Sequence, residues 1–341
     1  MKAAILERVN APLTIADVEV PRLAAGQVLV KMEYSGVCGK QIDEISGRRD
    51  DPFLPHLLGH EGAGTIVEVG DGVTKTKKDD RVVLHWMKGP GMNSATPKFR
   101  WNGREINAGW VTTFSEMTIA SENRVTPIPS GVGGDLACLL GCAVTTGLGI
   151  VFNNANLKPG QSLVVFGAGG GVGLNVIRGA ALVNAHPIVA VDVSEQKLDW
   201  AKAAGATYVV DARRPDLERH LKSLAAQGFD ASVDTTGLGA VRQTAYDVTA
   251  NTGITILAGV PYQSERMTID SYPLHAGRRI IGSHGGDTRP DVDIPRYLRL
   301  HELGKLDLAG QITHRFTLDT INDAIDTVRK GQAGRCVVKL S

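Results

Sequence analysis

The chain has 341 residues, long enough for two domains of ordinary size, each burying its own core. Its 37 basic and 36 acidic residues balance, so there is no basic surplus or stripe for a nucleic acid or a membrane surface, and a small-molecule partner is expected. The four cysteines, Cys38, Cys138, Cys142 and Cys336, are too scattered for a disulfide framework, no leader-like segment opens the chain, and no apolar run approaches the ~20 residues of a membrane helix, so a reducing cytoplasm is expected.

From Met1 to about Ala120, short β segments alternate with Gly, Pro and Asp turns: KAAILE, QVLVKMEYSGV, GTIVEVG, DRVVLHW and TTFSEMTIAS. This half is expected to be antiparallel or barrel-like. Within it, Lys88 to Asn107 has no clear period and reads as a long surface loop or lobe. From about Leu163 the texture changes to apolar β runs alternating with helical patterns: SLVVFG, GLNVIRGAALV, PIVAVD, SEQKLDWAKAAG and ATYVVD. That alternation predicts βαβ units and a parallel sheet, and DASVDTT, TGITILAGV and RRIIGSHG bring it to about six strands. The tail, DIPRYLRLHELGKL, QITHRFTL, DTINDAIDTVRKG and RCVVKL, resumes a mixed pattern suited to completing the first domain.

VVFGAGGGVGLNV follows a strand and opens a helix inside a βαβ unit. Glycines there let the backbone turn tightly and approach a pyrophosphate, while the helix N-terminus favours the anion. The spacing is G-x-x-G-x-x-G, at Gly167, Gly170 and Gly173, rather than G-x-G-x-x-G, and by itself it reads equally as a tight strand-to-helix turn. Asp192 favours the dinucleotide: it ends the next strand about 20 residues on, where a carboxylate accepts both ribose hydroxyls and repels a 2′-phosphate. NAD is therefore expected over NADP.

LLGHEGAGTIVEVGDGV sets His60 and Glu61 among glycines. Alone, His60 reads as a satisfied structural histidine. Together with Cys38 and Cys142 it fits the mixed Cys and His set of catalytic zinc, which keeps one position open.

These segments make the chain resemble the zinc-containing alcohol dehydrogenases of the medium-chain dehydrogenase/reductase superfamily over essentially its whole length. GHEGAGTIVEVGDGV carries the family's G-H-E-x-x-G signature, GVCG is similar to the segment of the first ligand, and LLGCAVTTGLG to the helix of the third. The glycine loop, Asp192, the ITH segment and GRCVVKL follow in family order. The resemblance implies an α/β chain: a GroES-like β-rich catalytic domain over 1–143 and 287–341 around a Rossmann domain over 144–286, with the active site in the cleft between them. It implies a catalytic zinc on Cys38, His60 and Cys142 with Glu61 as fourth or alternating ligand, Trp86 in the substrate pocket, Thr146 and Val172 against the nicotinamide, Lys197 by the adenosine ribose and Arg335 at the pyrophosphate. Cys138 and Cys336 keep the reading of small buried thiols. Many relatives hold a second, structural zinc on four cysteines in the lobe that here runs from Lys88 to Asn107 without a cysteine, so one zinc per chain is expected.

In the family a Ser or Thr two residues after the first cysteine and a His five residues after it pass on the proton; here Lys40, Gln41 and Asp43 stand in that region. Lys40 has three readings: a relay base handing the proton to Asp43, a cation for an anionic or oxygen-rich substrate, or an ordinary surface charge paired with Asp43 or Glu44. Gln41 can hydrogen-bond near the metal but cannot offset its charge. SGRRDD at 46–51 reads as a solvated turn that could also greet an anion, His284 as a loop histidine, and His85 either as a substrate contact or as a residue turned away from the pocket.

The expected function is hydride transfer between NAD(H) and an alcohol, more polar than a simple alkanol, such as a polyol, sugar or cyclitol, by a homodimer or homotetramer. Pairing of the RRIIGSHG edge strand is one route to assembly. The alternatives are a zinc-independent NAD(P)H enone or quinone reductase of the same fold, a non-catalytic nucleotide-binding protein, and an enzyme that keeps its NAD through a longer reaction.

Overall fold

Apolar residues alternate along the strand Gln27–Val37, where Val28, Val30 and Met32 are fully buried, and this strand organises the first half of the molecule. The computed structural model describes residues 1–48, 53–261 and 264–341. They divide into two units, Met1–Cys142 with Arg289–Ser341, and Ala143–Thr288.

In the first unit Gln27–Val37 pairs along one edge with Glu61–Val69; its other edge takes Met117–Ser121 over its first half and Arg335–Lys339 over its last residues. Arg81–His85 and Val125–Pro127 extend this sheet beyond Glu61–Val69, and Ile312–Thr317 extends it beyond Arg335–Lys339. The core beneath it takes Val82, Leu84, Cys336 and Val338, and the helix Ile321–Arg329 adds Ile321, Ala324 and Ile325. A β-rich unit completed by the tail of the chain results.

The lobe differs from the expected loop. Lys98–Trp101 and Arg104–Asn107 form an antiparallel hairpin about Asn102 and Gly103, both at positive φ (49° and 73°), and Asn107 pairs with His56 of the short strand His56–Leu57. Upstream, the carboxylate of Glu122 accepts the backbone N–H groups of Thr74 at 2.6 Å, Met92 at 2.8 Å, and Lys75. Hydrogen bonds to one buried acid and a strand turn organise this region.

His85 is buried, with both ring nitrogens engaged. It is 1% exposed, with Nδ1 at 2.7 Å from the Met87 carbonyl oxygen and Nε2 at 2.9 Å from Thr126 Oγ1. The run Val82 to His85 is buried on both faces, so period-two alternation did not apply at this strand end. Burial pushes the His85 pKa down to about 4.

In the second unit Leu163–Phe166 is buried throughout. Leu163 and Val165 pack into one cluster and Val164 and Phe166 into another, the pattern of a strand covered on both faces. Six strands, all parallel, stand in the order Tyr208–Asp211, Ile188–Asp192, Leu163–Phe166, Phe229–Asp234, Thr249–Leu257, Arg279–Gly282. Numbered along the chain that order is 3-2-1-4-5-6, the doubly wound arrangement. The helix Gly171–Leu182 buries Gly173, Val176, Ile177 and Ala180 at helical spacing.

Two predictions follow from these placements. Glu122→Ala leaves three backbone N–H groups without their acceptor and is expected to lower unfolding stability by roughly 3 kcal/mol, read from denaturant midpoints; an unchanged midpoint would contradict the role given to this acid. For His85, the unfolded ring takes up its proton near pH 6.5 and the folded ring only near 4, so the stability from its neutral burial is complete above about pH 6.5 and is lost as pH falls toward 4. Between pH 7.5 and pH 5 the wild type is expected to lose on the order of 2 kcal/mol more than His85→Asn. Equal losses would place the ring in water.

Candidate metal centre and dinucleotide loop

Three segment ends meet in the first unit. Cys38 follows the strand Gln27–Val37 and caps the helix Gly39–Ile45; His60 directly precedes the strand Glu61–Val69; Cys142 ends the turn Cys138–Gly141. Close approach is built in by glycine. A Cβ on Gly141 would lie 2.3 Å from the Leu84 carbonyl oxygen and 2.8 Å from Glu61 Cα, so the turn can press the third residue against the first two only without a side chain. The Sγ atoms of Cys38 and Cys142 and a ring nitrogen of His60 all lie within 4.8 Å of one another.

Electrostatics suit these atoms to a cation. The Cys142 thiol donates to Cys38 and holds its pKa well below the usual thiol value, with His60 acting in the same direction against the effect of burial. The Cys142 pKa is raised correspondingly by the same hydrogen bond and by burial. His60 is fixed from behind: Gln41 Nε2 donates to Nδ1 at 2.6 Å, while Gln41 Oε1 accepts the Cys38 N–H at 3.0 Å. Gln41 is 1% exposed, so one neutral amide aligns two of the three donors and leaves His60 Nε2 available. Two thiols and an imidazole are the donor types of a zinc site with an open fourth position, and the residues fit that group.

Glu61 lies outside this cluster. Its carboxylate pairs with the Arg335 guanidinium, both side chains almost fully buried at 0% and 4% exposure. Burial holds the Glu61 pKa up, and Arg335 opposes it. Gly36 makes the room: a Cβ there would stand 2.7 Å from Glu61 Cδ and 2.8 Å from Arg335 Nη2. The resemblance implies a place for Arg335 at the pyrophosphate; in the structure its guanidinium pairs with Glu61, and the strand pairing of Val337 with Gly36 brings the two charges together.

Lys40 and Asp43 do not touch each other as a relay would require. Lys40 pairs with Glu44 at 3.0 Å, one helical turn on, and Asp43 pairs with Arg48 at 2.6 Å. Of SGRRDD, Arg49, Asp50 and Asp51 lie outside the described residues. Trp86 is half-buried one residue past His85, and His284 is exposed in the turn after the strand Arg279–Gly282. Cys138 and Cys336 are buried free thiols.

In the second unit Gly167 turns at φ 75°, Gly170 caps the helix Gly171–Leu182 and Gly173 lies in its first turn. A Cβ on Gly173 would stand 2.5 Å from the Gly167 carbonyl oxygen, so the helix start can lie against the loop only as glycine, which leaves its free N–H groups beside a backbone cradle that fits a pyrophosphate. Asp192 ends its strand with Oδ2 accepting the Gly169 N–H at 3.0 Å and Oδ1 accepting that of Val193 at 2.8 Å. The Lys197 stem backs onto Gly169. The helix Ala143–Gly149, which carries Thr146, meets the loop helix at Val172, whose carbonyl oxygen would be 2.7 Å from a Cβ on Gly147.

The sequence reading missed Gln41's second bond, to His60, and the Glu61–Arg335 pair. Gly36 and Gly141, small residues beside two candidate ligands, were the available signals.

Comparison with known proteins agrees with this picture. A family model described as an alcohol dehydrogenase GroES-like domain matches residues 24–130, and one described as a zinc-binding dehydrogenase matches residues 171–301. The chain is 31% identical over 365 residues to S-(hydroxymethyl)glutathione dehydrogenase of Synechocystis sp., covering 99% of each chain. It is 30% identical to alcohol dehydrogenase 6 of Peromyscus maniculatus over 99% of this chain and 97% of the relative. Among solved structures, benzyl alcohol dehydrogenase from Acinetobacter calcoaceticus superposes with a TM-score of 0.91 at 26% identity, covering 100% of this chain and 99% of that one. With two family domains in order, relatives aligned end to end and a Cys–His–Cys cluster able to hold a metal ion, the chain belongs to the zinc-containing alcohol dehydrogenase family.

Proposed function

We propose that the chain is an NAD-dependent dehydrogenase of a polar primary or secondary alcohol, with one zinc per chain held by Cys38, His60 and Cys142. The observation that carries this reading is the convergence of two thiols and an imidazole within 4.8 Å. When bound, zinc supplies a Lewis acid for the alcohol oxygen and NAD the hydride acceptor. The protein's own part is alignment. Gln41 orients His60 and Cys38, and the buried Glu61–Arg335 pair holds two strand ends beside them.

In this reading Gly167, Gly170 and Gly173 admit the pyrophosphate, Asp192 and Lys197 meet the adenosine ribose, Thr146 and Val172 border the nicotinamide, and Trp86 borders the substrate. The pairing of Lys40 with Glu44 and of Asp43 with Arg48 supports ordinary helix-surface charges over a relay. A zinc-free reductase would have no use for the three donors, and their convergence disfavours it. The relatives named for S-(hydroxymethyl)glutathione and for benzyl alcohol support an alcohol substrate. We assign the chain to the cytoplasm as a homodimer or homotetramer: none of its four cysteines is in a disulfide, and the edge strand Arg279–Gly282 offers a pairing surface. No single helix among the described residues is long and apolar enough to cross a membrane.

The test is NADH formation with a panel of alkanols, polyols, hydroxy acids and cyclitols on zinc-replete protein. Turnover is expected with NAD in preference to NADP, a smaller preference in Asp192→Ala, and a loss of roughly a thousandfold in Cys142→Ala. Reduction of enones by NADPH with no alcohol oxidised, or activity untouched by Cys142→Ala, would overturn the proposal.

A further inference from the structure

Arg124 is a buried guanidinium without an anion. It is 6% exposed and forms no ion pair with any described carboxylate. Its Nη1 donates to the Trp86 carbonyl oxygen, its Cζ lies 4.7 Å from the centroid of the Trp110 ring, and its Nε is buried with no hydrogen-bond partner. Asp291, which accepts from Thr126 Oγ1 at 3.1 Å two residues along from Arg124, is already paired with Lys75 at 3.0 Å. Burial lowers the Arg124 pKa, yet a guanidinium keeps its proton at any ordinary pH, so the charge stays and lacks a counter-ion.

Both groups that grip Arg124 adjoin residues bonded to the segment that carries His60. The strands Glu61–Val69 and Arg81–His85 pair Glu61 with His85, the chain neighbours of His60 and Trp86. Trp110 lies three residues before Thr113, whose backbone N–H donates to the Leu58 carbonyl oxygen at 2.9 Å and whose Oγ1 donates to that of Glu61 at 3.2 Å. The guanidinium is thus bonded to the residue that follows His85, the strand partner of Glu61, which itself adjoins the candidate zinc ligand His60. With Nη1 taken by Trp86, the edge that remains is the parallel Nε–H and Nη2–H pair, the fork that matches the two oxygens of a carboxylate. Trp110, whose ring covers the guanidinium, is 63% exposed.

We propose that Arg124 is the receptor for a carboxylate carried by the alcohol substrate, so that the preferred substrates are hydroxy acids. This deepens the dehydrogenase reading and rests on it. A carboxylate suits the site better than a phosphate, because a single unneutralised cation and one free fork match a monoanion.

The probes are ω-hydroxycarboxylates of three to six carbons and the n-alkanols of the same lengths, oxidised by zinc-replete, full-length protein with saturating NAD. At one or more lengths the wild type is expected to favour the acid over its alkanol at least ~10-fold in kcat/KM. In Arg124→Met that ratio falls ~10-fold or more, through KM, and Arg124→Lys, a point charge without the fork, falls between. Calorimetric titration of the same acids into the NADH complex is expected to rank the three proteins in the same order. A wild type that disfavours the acid at every length, or a ratio unchanged in Arg124→Met, overturns the proposal. If no alcohol is oxidised, binding of the acids that depends on Arg124 keeps the anion site while the dehydrogenase reading fails, and binding indifferent to Arg124 removes both. Should Arg124→Met not fold, the wild-type ratio and Arg124→Lys decide.

Discussion

The buried pair of Glu61 and Arg335 is the contact on which the first unit's arrangement turns. Two charges withdrawn from water are expensive, and they persist because each satisfies the other; removing either alone would leave an uncompensated ion at a cost of ~3–5 kcal/mol. The pair ties the strand that begins beside His60 to the last strand of the chain, and Gly36 between them leads by two residues to Cys38. The positions of two metal donors therefore depend on a strand contributed by the final residues of the sequence. An N-terminal β unit closed by its C-terminus is the architecture that this contact demands.

Much of the fold could be read along the chain. Continuous apolar runs such as LVVF and IVAVD, spaced by helical patterns, predicted a parallel sheet buried on both faces, and six parallel strands are present. The lobe was less legible, for a physical reason: KFRW and REIN are four-residue strands with mostly exposed side chains, so no apolar period marks them. Yet Asn102-Gly103 between them is a hairpin signal that the sequence did carry. The donors Cys38, His60 and Cys142 were legible through their glycine-rich settings. The partners of long charged side chains were not, since Arg335 and Glu61 are 274 residues apart and only strand register joins them. His85 stayed open between two readings because alternation gives no direction where both faces of a strand are covered.

Charge around the site is distributed unevenly. Close to the thiols, the cation of Arg335 is matched by Glu61, and the charges of the adjoining helix are matched on its own surface by Lys40 with Glu44 and Arg48 with Asp43. Arg124 alone among these has no match, and it is gripped by Trp86 and by Trp110. A nearly neutral chain thus holds a local unmatched positive charge without a basic surface that would attract polyanions.

The claim on which everything else rests is that Cys38, His60 and Cys142 hold a single zinc. The direct measurement is zinc per chain, by elemental analysis, on protein purified with neither added metal nor chelator, beside a Cys38→Ser, Cys142→Ser double variant whose fold is verified by circular dichroism. About one zinc in the wild type and almost none in the folded variant is the predicted result. No zinc in folded wild-type protein would contradict the centre, and two per chain would contradict the hydrogen-bonded, cysteine-free lobe.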